Sequence, residues 1–230
     1  MIDVDHISKK FLSGRRTVQA LVDVTFSLEH GKTMAVAGKS GSGKSTLLSI
    51  LGGLEQPDSG AVRCFGVEVN RLSGRELSRF LRKNVGFVFQ HGNLLSYMTV
   101  FDNIAFPLIL NGKTGKEREM RALELLDCIH LKEAAKAYPT ELSGGELQRV
   151  SIARAIVHDP KILLADEPTA SLDSATGWGI IELMFAMGKQ RECSVVFSTH
   201  DMEILKLADS RLHLRDGKMV KFDGAEYDAA

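Results

Sequence analysis

Apolar and polar residues alternate along the first part of the chain. In "MIDVDHI" and "ALVDVTFSLE" the pairs Ile2 and Val4, then Val24, Phe26 and Leu28, fall on one side of an extended backbone, which predicts two half-buried strands. "TMAVAG" (Thr33 to Gly38) is a short apolar run leading into a glycine-rich loop and predicts a buried strand. A helix is expected over Ser45 to Gly53, ended by two glycines, with further strands in "GAVRCFGVEV" and "NVGFVFQ". From Gly92 to Thr140 the period changes: "GKEREMRALELLDCI" repeats its apolar residues every three or four positions, the spacing of an amphipathic helix. The strand "KILLADE" (Lys161 to Glu167), a helix around Thr176 to Lys189, the strand "SVVFSTH" (Ser194 to His200) and a helix from Met202 to Ala208 then restore an α/β alternation. Such alternation implies a parallel sheet with flanking helices. The polar residues 221–230 read as a loosely ordered tail, and no internal repeat is visible.

Composition narrows the class of protein. A chain of 230 residues, 44% hydrophobic and 25% charged, can bury a substantial core and lies far from the disordered regime. With 29 basic and 29 acidic residues the formal net charge is zero, so no global field attracts nucleic acid, and no nucleic-acid partner is expected. Cys64, Cys128 and Cys193 are widely spaced and include no CxxC pair, which suits buried thiols in a reducing cytosol. The acidic start "MIDVDHISKKF" lacks the basic region of a secretion signal, and "IAFPLIL" is too short to span a bilayer.

"GKSGSGKST" (Gly38 to Thr46) fits the phosphate-loop pattern GxxxxGK[ST] between a predicted strand and helix. Gly38, Lys39, Ser40, Gly41, Ser42, Gly43, Lys44, Ser45 and Thr46 are the expected nucleotide contacts. Gly41 and Gly43 let successive N–H groups face phosphate. Lys44 brings a mobile cation to the β and γ oxygens, and the Ser45 hydroxyl suits Mg²⁺. "ILLADE" ends an apolar strand in two acids. Alone these suit a helix cap or a solvated turn; after a phosphate loop they suit a metal carboxylate, Asp166, and a general base, Glu167, for the attacking water.

A second glycine-rich turn, "ELSGGELQRVSIARA" (Glu141 to Ala155), puts Ser143, Gly144 and Gly145 at a helix N-terminus, either a plain cap or an anion site. Together, "LSGGELQRVSIARA", "ILLADEP" and the phosphate loop resemble the signature of the ATP-binding-cassette (ABC) ATPases over essentially the whole chain. The resemblance implies an α/β fold: a P-loop NTPase (RecA-like) core with an antiparallel β subdomain and an inserted α-helical signature subdomain. It implies one ABC ATPase domain over 1–230, with the core and β subdomain in 1–90 and 156–220 and the helical subdomain in 91–155. It also implies ATP hydrolysis with ATP and Mg²⁺ as cofactors. In that family a second copy packs head to tail, so the turn at Ser143, Gly144, Gly145 and Glu146 meets the ATP held by the other subunit.

Other residues take roles from the same resemblance. Phe11 resembles the aromatic that stacks on adenine, where tyrosine is more usual; the alternative is a core phenylalanine. Gln90 looks like the glutamine that reaches Mg²⁺ and water, and His200 like the γ-phosphate histidine, each with an ordinary structural reading beside it. Asp173 in "ASLDS" falls where the two subunits join, and Ala170 and Ser171 stand where relatives often read Gly-Asn. "DSG", "NLL", "TVFDNIAFPL" and "ADEPTASLD" most resemble the subgroup of lipoprotein-releasing, macrolide-exporting and cell-division ATPases. That likeness implies an integral membrane permease as partner and a peripheral place on the cytoplasmic face of the inner membrane; the groove beside Gln90 and "HGNLLSYMTVFDN" is the expected docking site, the alternative being that Leu94, Leu95, Tyr97 and Phe101 pack the helical subdomain. A soluble ABC ATPase of translation or DNA repair shares the same motifs, but the chain shows no second cassette, coiled-coil insertion or zinc-binding cysteines. A P-loop kinase does not account for "LSGGELQR".

Overall fold

Alternation along three short strands decides where the hydrophobic cores lie. In β3 (Thr33–Ala37), β7 (Ile162–Ala165) and β8 (Ser194–Thr199), Met34, Val36, Ile162, Leu164 and Val196 enter one core, while Ala35, Ala37, Leu163, Ala165, Val195 and Phe197 enter another. Successive side chains of a strand point to opposite faces, so a sheet apolar on both faces must be covered twice. The computed structural model describes residues 1–14 and 16–223 and shows how both faces are covered. These strands belong to a six-stranded sheet of order β10-β9-β3-β8-β7-β6, with β6 at Val85–Val88, β9 at Ser210–Arg215 and β10 at Lys218–Asp223. All neighbours pair in parallel except the β9–β10 hairpin.

One face packs on α1 (Lys44–Leu51) and on an antiparallel sheet of order β2-β1-β4-β5. Its strands are β1 (Ile2–Ser13), β2 (Arg16–Leu28), β4 (Ser59–Cys64) and β5 (Val67–Glu68). Leu47, Leu48, Ile50 and Leu51 of α1 are buried against Val4, Leu21, Phe26 and Val36. The other face is covered by α3 (Val100–Leu110), α4 (Gly115–Cys128), α5 (Gly144–Ile156) and α6 (Ser174–Gln190). The fold is the α/β arrangement expected, a parallel core with an antiparallel sheet and a group of helices.

Four details differ from the sequence expectations. "GAVRCFGVEV" is a hairpin: Phe65 and Gly66, both at positive φ (54° and 80°), turn the chain so that Cys64 pairs with Val67. The helix α2 (Gly74–Asn84), unassigned by pattern because its sequence is largely charged, starts at a Ser73–Glu76 capping box and packs Leu77 and Phe80 inward. The helix α7 stops at Leu205 instead of Ala208. Lys221, Phe222 and Asp223, expected in a loose tail, complete β10, where Phe222 packs near Phe26; the rest of that expected tail, 224–230, lies outside the described residues. No helix among the described residues is long and apolar enough to cross a membrane.

Candidate functional site

Strand β3 delivers the chain into the loop 38–43, and α1 leaves it. Gly43 caps α1 with φ 106°, and a Cβ there would meet the carbonyl oxygen of Ala20 at 2.4 Å, so only glycine lets the loop lie against β2. The first helical bond runs from the Leu47 N–H to the Gly43 carbonyl. The amides of Lys44, Ser45 and Thr46 therefore precede it, at the positive end of the helix dipole. Lys44 is 4% exposed; its ammonium donates to the carbonyls of Gly38 (2.9 Å) and Lys39 (3.2 Å) and lies 3.2 Å from Glu167 Oε1. Ser42 Oγ is buried with no hydrogen-bond partner among the described residues. A cation folded onto its own loop beside an unsatisfied hydroxyl is a cradle shaped for an anion.

The acids arrive on the neighbouring strands. Asp166 follows β7, with its N–H donating to the Val88 carbonyl at 2.9 Å. Glu167 sits in the left-handed region, φ 43°, which is uncommon for a residue with a Cβ. Ser198, fully buried in β8, donates its hydroxyl to Asp166 Oδ1 at 2.7 Å and accepts the Glu167 N–H at 2.8 Å. The His200 imidazole is largely exposed, with Nδ1 3.5 Å from Glu167 Oε2. Gln90 follows β6. Ser40, Gly41, Gly43, Lys44, Ser45, Thr46, Gln90, Asp166 and Glu167 border one cleft of about 510 Å³, together with Phe11, Val18 and Ala20 of the β1–β2 hairpin, whereas Gly38, Lys39, Ser42 and His200 do not line it. Phe11 is 39% exposed, so it is not a core phenylalanine, and the Lys9 ammonium lies 5.2 Å from its ring centre.

The second glycine-rich turn lies elsewhere. Ser143 is the N-cap of α5, and its amide and hydroxyl both donate to Glu146 Oε2, at 2.8 and 2.7 Å. These bonds hold the Glu146 carboxyl below its usual pKa. Ser143, Gly144, Gly145 and Glu146 share a cleft of about 430 Å³ with Arg149, Ser171, Leu172, Asp173 and Thr176. Asp173 caps α6 by accepting the Thr176 N–H at 3.0 Å, and that bonding lowers its pKa as well. The two clefts have no lining residue in common.

The helix α5 also grips the segment on both sides of Gln90: Gln148 donates to the Phe89 carbonyl, Ser151 and Arg154 to that of Gly92, and Arg154 to that of Asn93. Beside this segment is a mainly apolar groove of about 400 Å³, lined among others by Leu54, Leu81, Phe87, Phe89, Leu95, Phe106 and Leu110, with Arg82, Asn111 and Arg154 at its polar positions. Of the four residues expected to form a docking groove only Leu95 lines it. Leu94 and Phe101 pack into the helical core, and Tyr97 points to solvent at 73% exposure. Pattern reading missed Ser198, Arg149 and Thr176. A serine inside an apolar strand or a threonine in a helix carries no signal of its own, and only the fold shows what each touches.

A family model described as "ABC transporter" matches residues 21–170. The chain is 42% identical over 206 residues to the methionine import ATP-binding protein MetN of Vibrio vulnificus strain YJ016, covering 90% of this chain and 60% of that protein. It is 40% identical over 220 residues to the lipoprotein-releasing system ATP-binding protein LolD of Bacteroides fragilis strain YCH46, covering 96% and 100%. The chain thus spans 60% of the length of the methionine-import relative. Among solved structures it resembles a dimeric post-hydrolysis state of the ATP-binding cassette MJ0796 bound to ADP and Pi, with TM-score 0.90 and 36% identity over 99% of this chain and 100% of that one. It also resembles cbiO1 of Clostridium perfringens, part of the ABC transporter complex cbiONQ, with TM-score 0.85 and 26% identity over 97% and 88%. With the family model spanning more than half of its residues, the chain belongs to the ABC transporter family.

Proposed function

We propose that this chain is the ATP-hydrolysing subunit of an ABC transporter, and that two copies pack head to tail around two ATP molecules to drive a separate integral membrane permease. One observation carries the reading: the phosphate loop and the Ser143 turn line separate clefts with no residue in common, which leaves the turn open to a nucleotide held by a second chain. The dimeric relative bound to ADP and Pi supports it.

The residues divide the chemistry. ATP entering the cleft takes Lys44 from the carbonyls of Gly38 and Lys39, and the loop amides bind its phosphates. Losing the Lys44 partner leaves the Glu167 carboxylate free to accept a proton from the attacking water. His200, beside Glu167, faces the place of the γ-phosphate. Phe11 stacks on the base. In the partner copy Ser143, Gly144, Gly145 and Glu146 close over the γ-phosphate, and Asp173 lies at the joint.

The cleft also fits Mg²⁺. Among the described residues no group of three or more His, Cys, Asp and Glu side chains could hold a metal alone. Ser45, Gln90 and Asp166 nonetheless line one cleft and offer oxygens to a cation that favours one or two carboxylates plus substrate phosphates. Bound there, Mg²⁺ supplies charge neutralisation on the β and γ phosphates.

The apolar groove beside Gln90 is the proposed seat of the permease, and the cytoplasmic face of the membrane the proposed location of the subunit. Phe89 lines the groove and Gln90 the nucleotide cleft, so closure around ATP is felt one residue away. The relatives' names give traffic in two senses, methionine import and lipoprotein release. The motifs "NLL" and "TVFDNIAFPL" favour release or a related mechanical task. Affinity capture of tagged Glu167→Gln with ATP from detergent-solubilised membranes tests the proposal. A stoichiometric membrane protein supports it and identifies the cargo class, whereas ribosomes or repair proteins in its place overturn it.

A further inference from the structure

We propose that Ser198 is a positioning residue for the hydrolysis reaction, setting both the carboxylate that faces the metal and the backbone that aims the base; the inference rests on the ATPase reading above. Ser198 lies in the centre of the sheet, fully buried in β8 and paired in parallel with Val36 of β3. Every other side chain of "SVVFST" before it, apart from Ser194 at the strand's start, is apolar, and a valine or alanine satisfies the packing of such a strand equally well. A buried hydroxyl is retained at no cost only where it is fully bonded, and this one is used in both senses.

As donor, it binds Asp166 Oδ1 at 2.7 Å. That occupies one carboxylate oxygen and fixes the side-chain rotamer, leaving Oδ2 for the cleft. As acceptor, it takes the Glu167 N–H at 2.8 Å. Glu167 is held in the left-handed region, φ 43°, a conformation that a non-glycine residue keeps only when its surroundings impose it. That conformation turns the side chain back toward Lys44 and His200, with its two oxygens 3.2 and 3.5 Å from them. One hydroxyl therefore ties the orientations of two successive acids, and losing it loosens both together. The bonds are short and Ser198 is fully buried and does not line the nucleotide cleft, so the two roles rest on its own hydroxyl.

The test compares Ser198→Thr with its near-isostere Ser198→Val, and both with Ser198→Ala, which cannot overfill the site. Each is measured for kcat, for the KM for ATP, and for the affinity of a fluorescent ATP analogue with Mg²⁺ and with EDTA, after thermal unfolding confirms folding. Partners that orient a metal's ligands are worth about 10- to 100-fold in metal affinity or activity. Alanine and valine are expected to lower kcat by about tenfold or more and to raise the Mg²⁺ concentration needed for nucleotide binding, with affinity in EDTA unchanged; threonine restores both. Wild-type kcat and Mg²⁺ dependence in the alanine variant overturn the inference. So does a loss in valine matched by threonine, because the added volume and not the missing hydroxyl then causes it. If the unsubstituted protein hydrolyses no ATP, the ATPase reading falls, while the Mg²⁺ dependence of nucleotide binding still decides the role of Ser198.

Discussion

The phosphate cleft and the signature cleft are both glycine-rich turns leading into a helix, yet they are built in opposite ways. In the first, Lys44 and Ser198 are buried and the groups interlock. Lys44 is held by two carbonyls and Glu167, Gly43 leaves no room for a Cβ, and Ser198 ties the acids. In the second they are exposed and satisfied by one another, Ser143 by Glu146 and Asp173 by Thr176, on the surface of α5 and α6. The first is preorganised to bind an anion unaided. The second is complete as a pair of helix caps, and under the proposed function it is the surface that meets the other subunit's nucleotide.

If the comparison holds, substitutions should separate binding from turnover. The largest effect belongs to Glu167→Gln. Removing a general base lowers steady-state hydrolysis by about 10²- to 10⁴-fold while ATP binding persists, so an ATP-dependent dimer should accumulate in size-exclusion chromatography with light scattering. A variant that stays monomeric with saturating ATP breaks the head-to-tail reading. Next comes Ser143→Arg. Loss of a preorganised donor to the transition state costs about 10²- to 10³-fold in hydrolysis, with the affinity of the monomer for a fluorescent nucleotide unchanged. If binding by the monomer weakens in parallel, the two clefts are not independent.

Phe11→Ala sharpens the picture of the base end. Stacking of a base on an aromatic ring contributes about 1–3 kcal/mol, so nucleotide affinity should fall about 5- to 150-fold, with recovery in Phe11→Tyr. Equal affinity in the alanine variant, measured by titration calorimetry, removes Phe11 from the site. The smallest effect lies outside both clefts. His158, at the edge of the apolar groove, is held below the usual histidine pKa by burial. Its folded form takes up a proton later than the unfolded chain, so stability is whole above about pH 6.5 and falls as pH drops toward the depressed value. Thermal melts at about pH 7.5 and 5.5 should show His158→Gln losing less stability over that interval than the unsubstituted protein, by about 1 kcal/mol at most. An identical loss in both assigns the acid sensitivity to other groups.

The motifs were legible in the sequence because their chemistry is local. Backbone amides must face phosphate at Gly38 to Thr46, a carboxylate pair must end an apolar strand at Asp166 and Glu167, and a serine must cap a helix three residues before Glu146; each is set by neighbours in the chain. The strands β3, β7 and β8 were equally legible, since each is a short, largely apolar run rich in β-branched or aromatic residues or bounded by glycine and acids, which favours a buried strand over a helix. The helix α2 and the β9–β10 hairpin went unassigned although a period is there, because each offers few apolar residues, Leu77, Phe80 and Leu81 in the helix and Leu212 and Leu214 in β9, and both are held by what they pack against.

By itself, then, the sequence determined the class of fold, the phosphate loop, the acids and the signature turn. Only the tertiary structure decided which of these share a cleft: that Phe11 borders the same cleft as the phosphate loop, that Leu94 and Phe101 turn into the core while Leu95 faces the groove, and that the Ser143 turn lines a separate cleft. It also decided that Ser198 holds two acids more than 30 positions away in the chain, 32 and 31 residues respectively. Spacing along a chain dictates which side chains share one face of one element, whereas contact between elements depends on the register of the parallel sheet and on the helices that cover it.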